Sequence, residues 1–130
     1  MISFKDLISF FYFPILVFIL NLFLVFLGIY SVAPWIDIPM HLLGGFTIAY
    51  SGSLILDYLG KRNLVKINNY WIWVLIVISF VALIAVFWEV VEFIYEFFYH
   101  VGLQPSIKDT ILDLVLGIFG GFLFSIFRKF

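Results

Sequence analysis

Long apolar runs separated by short polar segments dominate the chain. The first, Leu7 to Tyr30, holds no charged residue, with Pro14 near its start and a single amide, Asn21, in its middle. Ser31-Val32-Ala33 resembles a signal-peptide cleavage site, but the run is longer than the apolar region of about 7 to 15 residues that such peptides carry. It is therefore read as a retained helix. Pro14 frees a carbonyl that a neighbouring helix must satisfy, and Asn21 needs a partner. A second run, from Ile38 to about Asp57, follows Ala33-Pro34-Trp35 and ends at Gly60-Lys61-Arg62; Pro39 lies in its first turn, where a missing N–H costs nothing. Tyr70-Trp71-Ile72-Trp73 opens a third run with aromatics suited to a membrane interface. It extends to about Tyr95 or beyond. A link containing Gly102 and Pro105 leads to the fourth run, Ile107 to Phe127, closed by Arg128 and Lys129.

Each run reaches or exceeds the roughly 20 residues needed to cross the hydrocarbon core as a helix. The pattern predicts an all-α integral membrane bundle of four transmembrane helices, spans 7–30, 38–57, 70–95 and 107–127, within one membrane domain over residues 1–130. Composition agrees. The chain is 65% hydrophobic and 12% charged, against about 45 to 50% and 25% in soluble domains, so lipid is its solvent and its first partner. A net charge of −1 with no clustered basic face excludes a nucleic-acid partner. The absence of cysteine removes disulfides, thiolate metal sites and cysteine nucleophiles.

Basic residues set the expected orientation, because short loops rich in Lys and Arg stay in the cytoplasm. Lys5, Lys61, Arg62, Lys66, Arg128 and Lys129 fall on one side of the four-span arrangement and only Lys108 on the other. Both termini are expected in the cytoplasm, in a cell membrane, with the links near residues 31–37 and 97–106 outside.

That topology groups the acidic residues. Asp37 and His41 start the second helix, Glu89, Glu92 and Glu96 approach the end of the third, and Asp109 and Asp113 start the fourth. All lie toward the outer side. The i,i+3 and i,i+4 spacings put each set on one helix face, and an ionisable group in a membrane turns inward to a partner or a water-filled cavity. Three polar stripes at one depth are expected to meet. Gly44, Gly45 and Gly52, with Gly117, Gly120 and Gly121, support close approach, and Gly117-x-x-x-Gly121 has small-xxx-small spacing.

Some of these residues have a structural explanation too. Asp37 suits an N-cap, and Ser106-x-x-Asp109 reads as a capping box. Glu96 and His100 suit the headgroup region, and Asp57 suits an i,i+4 pair with Lys61. Glu89 and Glu92 stand inside an apolar run near a helix C-terminus, where the helix dipole disfavours anions.

Asp37, His41, Glu89, Glu92, Asp109 and Asp113 form a candidate set of metal ligands. Carboxylates suit Mg, Mn or Ca, and a mixed carboxylate and imidazole set suits Zn or Fe. A divalent metal ion is thus the candidate cofactor, of open identity. Glu89, Glu92, Asp113 and His41 are the candidate catalytic groups, through a metal-activated water acting on a lipid or lipid-linked head group. Without a metal, crowded carboxylates share protons. That alternative is a small transporter or proton relay, as a homo-oligomer because four helices make a narrow pore. A third reading is a non-enzymatic envelope component with a structural polar knot.

The segments Asp37-Ile38-Pro39-Met40-His41-Leu42-Leu43-Gly44-Gly45, Trp88-Glu89-Val90-Val91-Glu92 and Asp109-Thr110-Ile111-Leu112-Asp113-Leu114 resemble the YjdF-like family of small membrane proteins. The Asp-x-x-x-His element also resembles the VanZ-like family, which commonly has a basic residue where Ile38 stands here. The first resemblance implies an integral membrane protein with these polar positions and no established activity; the second implies an envelope role linked to glycopeptide tolerance.

Overall fold

The computed structural model describes residues 4–100 and 106–128. Gly102, Pro105 and Lys129, which the sequence pattern assigns to a link and to the closing basic pair, lie outside the described residues. The elements are α1 (Phe4–Phe26), α2 (Ile29–Val32), a 3-10 turn (Pro34–Ile36), α3 (Asp37–Lys61), α4 (Tyr70–Tyr99) and α5 (Ile107–Phe127). The four long helices α1, α3, α4 and α5 are each long and apolar enough to cross a membrane. No strand occurs among the described residues, and the fold is an all-α membrane bundle.

The first helix ends earlier than its apolar run. Gly28 takes a left-handed conformation, φ 67°, which glycine adopts without the steric penalty of a Cβ. The chain therefore turns after Phe26, and Tyr30 folds back so that its hydroxyl donates to the Asn21 carbonyl oxygen. That gives the carbonyl oxygen of the span's lone amide a donor. Pro14 cannot donate to the carbonyl four residues before it; that carbonyl, on Phe10, accepts a hydrogen bond from the buried Ser51 hydroxyl of α3. Helix starts are capped locally: the Asn69 side chain accepts from Trp71 and Ile72 N–H, and Ser106 Oγ accepts from Asp109 N–H.

The helices alternate in direction. Phe10 of α1 meets Tyr58 near the end of α3, and the Tyr70 hydroxyl at the start of α4 donates to the Ser125 carbonyl near the end of α5. Helices α3 and α5 are consequently parallel neighbours, and they make the most extensive contact in the bundle. Glycine makes it possible. A Cβ on Gly45 would overlap the Gly117 carbonyl, and one on Gly120 would overlap that of Leu42. The two backbones touch. A Cβ on Gly121 would lie 2.8 Å from a methyl of Val81, so α4 closes on the same small-residue layer.

The apolar core, Ala49, Trp73, Val74, Val77 and Val81, fills the half of the bundle on the other side of that layer from His41. At its far end Asp57 pairs with Arg128, whose guanidinium also lies 5.3 Å from the Trp73 ring centroid. The expected Asp57–Lys61 pair is corrected. Arg128 reaches Asp57 because α3 and α5 run in parallel and end together. Helix α1 is peripheral, with Phe10 as its one buried residue among the described ones.

Candidate functional site

The glycine layer determines where the polar stripes meet. Gly45 and Gly117 are in contact, and the Cβ position of Gly117 lies 3.5 Å from the Ala85 methyl of α4. One turn along each helix, four residues or about 6 Å from this layer, stand His41, Asp113 and Glu89. Since i,i+4 positions share a face, helices that touch through Gly45, Gly117 and Ala85 must bring those three side chains together. The convergence follows from the packing below it.

His41 is the centre. Its Nε2 lies 3.4 Å from Asp37 Oδ1 and 3.9 Å from Asp113 Oδ1, while Nδ1 lies 3.8 Å from Glu89 Oε1. The ring thus has carboxylates at both nitrogens. Two overlapping groups of potential ligand atoms share it, Asp37 with His41 and Asp113, and His41 with Glu89 and Glu92, the atoms of each lying within 4.8 Å of one another. Glu89, Glu92 and Asp113 are only 5%, 8% and 3% exposed. Glu92 is held by its own helix, since the Trp88 indole N–H donates to its Oε1 at 2.7 Å.

Five of the six residues expected to meet are therefore brought together: Asp37, His41, Glu89, Glu92 and Asp113. Asp109 belongs to neither group. Its backbone N–H is bound by Ser106, as in the capping reading of that motif. Asp37 makes no capping hydrogen bond; the 3-10 turn leads straight into α3, which leaves its carboxylate facing His41. His100 is exposed at the end of α4, with φ 50°. Trp88 is a site residue that the search for ionisable groups passes over, although its i,i+4 spacing to Glu92 signals the contact.

A cavity of about 390 Å³ adjoins the cluster. Its walls are α1, α3 and α4, with Gly117 of α5 at the back, and His41, Asn21 and Trp88 line one end of it. Among the glycines, Gly44 borders this space and has no atom within 4 Å of its Cβ position. Its expected part in helix packing is corrected: Gly45, the next residue, makes the contact, because a step of one residue turns a helix by about 100°.

Residues 4–130 match the family described as "Predicted membrane protein (DUF2238)". The chain belongs to the DUF2238 family. No curated protein and no solved structure matches it. Membership agrees with the four candidate spans.

Proposed function

We propose that this DUF2238 protein carries a divalent-cation site within the bundle that binds, or acts on, the polar head of a lipid or lipid-linked molecule. One observation carries the reading: four carboxylates from three helices surround a single imidazole. Ionised carboxylates in low-dielectric surroundings are costly unless paired. A charged His41 offsets one of the four. A divalent ion supplies further positive charge, and oxygen ligands with one imidazole suit a hard or borderline ion. Ligands at about 2.0 to 2.6 Å from one ion stand about 3 to 5 Å apart, depending on the angle between them, a range that covers the spacing within both groups.

Asp37, His41 and Asp113 would hold the ion on one side of the ring, or His41, Glu89 and Glu92 on the other. Bound there, it would supply Lewis-acid activation of an ester or phosphate and of an attacking water. The chain supplies orientation: Trp88 fixes Glu92, and Asp37 fixes the plane of His41. The distribution of basic residues favours an outward-facing site, at the depth where lipid head groups lie. The VanZ-like resemblance of the Asp37-x-x-x-His41 element fits an envelope role.

A second reading has its own observation. Carboxylates at both nitrogens of His41 suit a proton relay, in which the ring accepts a proton on one side and releases one on the other. Elemental analysis of the purified protein, with Glu89→Gln, Glu92→Gln and Asp113→Asn alongside, separates the two. The cation reading expects near-stoichiometric divalent metal, lost in both Glu variants if His41, Glu89 and Glu92 hold it and in Asp113→Asn if Asp37, His41 and Asp113 do, with the helical fold retained in each. Absence of metal after divalent ions are added, with proton flux in liposomes, would overturn it in favour of the relay. Loss of stability in these variants, without metal or flux, would leave a structural knot.

A further inference from the structure

The cavity beside the cluster is not a by-product of loose packing. Along α3, Gly45 and Gly52 are filled against by Gly117 and Phe80, whereas the Cβ position of Gly44 faces open space. A side chain at residue 44 would occupy that space. Pro14, Ile48 and Val81 line it toward the middle of the bundle, and Asn21, His41 and Trp88 line it toward the cluster. Seven residues separate these levels on each helix, so the cavity runs about 10 Å along the bundle axis. Lipid chains run in the same direction. Its volume of about 390 Å³ falls within the span of about 300 to 1,000 Å³ typical of small-molecule sites.

The surroundings identify the occupant. Ile15, Phe18 and Phe87, each about half exposed or more, stand at the rim between α1 and α4, on faces that the bilayer solvates. An apolar cavity at this depth does not hold water, which needs polar partners, and an empty one forfeits dispersion contacts along its walls. Hydrocarbon is what reaches it. The polar end is equally informative, because His41 belongs at once to the cavity wall and to the carboxylate cluster.

We infer that this cavity receives a hydrocarbon chain of the lipid whose polar head is held at the His41 cluster, entering sideways between α1 and α4. The inference rests on the head-group reading and adds the class of ligand: an amphiphile whose chain is recognised as well as its head. An acyl chain of a phospholipid and the isoprenoid chain of a lipid-linked carrier share the required chemistry.

Photo-crosslinking tests it. The full-length protein in nanodiscs is exposed to a diazirine-bearing acyl phosphatidylglycerol or, separately, to a diazirine-bearing polyprenyl phosphate, and labelled residues are mapped by mass spectrometry. Labelling of Ile15, Phe18 or Met40, all of which line the cavity, in excess of Phe23 and Leu83, which are exposed outside it, is expected with at least one probe, and which probe succeeds names the source of the chain. Gly44→Leu should abolish the excess and leave the metal content unchanged. Should that variant fail to fold, Ile15→Trp at the rim provides the same block. Cavity labelling no greater than that of Phe23 and Leu83 with both probes, or an excess unchanged by the filling variant, would overturn the inference. Metal content measured on the same samples keeps the two readings apart: labelled cavity without metal upholds the chain and fells the cation site, whereas metal without cavity labelling does the reverse.

Discussion

Helix α3 presents adjacent glycines to opposite surroundings. On the side of α5, Gly45 lies so close to Gly117 that a single methyl would overlap a backbone carbonyl. On the side of α1 and α4, Gly44 faces an open cavity. Helices in lipid gain no hydrophobic drive from meeting, so close backbone contact is what holds one to another. The α5 side has that contact throughout its glycine layer. The α1 side is held differently, by a hydroxyl of Ser51 on the carbonyl that Pro14 leaves free, and by edge-on ring contacts such as Phe13 with Tyr50. One side of α3 is closely packed and places the cluster; the other borders the cavity.

Five substitutions test this contrast. The largest effect is expected from Gly45→Ala, where overpacking against backbone should cost about 3 kcal/mol and scatter the cluster, read as a fall in melting temperature in detergent together with loss of bound metal. If Gly45→Ala proved as tolerated as Gly44→Ala, the contrast would be broken. Ser51→Ala should cost about 1 to 2 kcal/mol by leaving the buried Phe10 carbonyl without its donor. Pro14→Ala restores a backbone donor to that carbonyl, so in its background the same change should cost much less, which a double-mutant cycle measures. Gly44→Ala meets no protein neighbour and improves helix propensity, so in lipid-free detergent it should raise stability by up to about 1 kcal/mol; a loss there would mean that Gly44 packs against protein as Gly45 does. The smallest effect belongs to Asp57→Asn at the far end, where both partners of the Arg128 pair are partly exposed and such pairs contribute about 0.2 to 1 kcal/mol. Its unfolding should barely shift, and metal content should be unaffected.

The polar cluster is legible in the sequence, its surroundings less so. Asp37, His41, Glu89, Glu92 and Asp113 can be grouped from residue type and position because charge is so rare in membrane helices that each instance signals a partner, and topology assigns them a common depth. Asp109 cannot be separated from them by that argument. Its cap with Ser106 and its place near the group are both compatible with i,i+4 spacing from Asp113, and only the packing decides between them. The pairing of Asp57 is hidden for a related reason: i,i+4 contacts along one helix are visible in sequence, whereas Arg128 is 71 residues away. The early end of α1 has a local signal in Gly28. A hydropathy count over an apolar run passes through a glycine that turns the chain.

What the sequence determined alone is set by solvent and period. Four apolar runs in a chain with 12% charged residues must become helices in lipid, where every backbone polar group has to be satisfied internally, and helical spacing places each polar stripe on one face. What the tertiary structure decided is which faces meet. Gly44 and Gly45 are indistinguishable as residues, yet one is pressed against a carbonyl and the other borders a cavity, because a turn of about 100° per residue sends neighbours toward different helices. The contact between Gly45 and Gly117, one turn below His41 and Asp113, is therefore what turns three separate stripes into one cluster around a single imidazole.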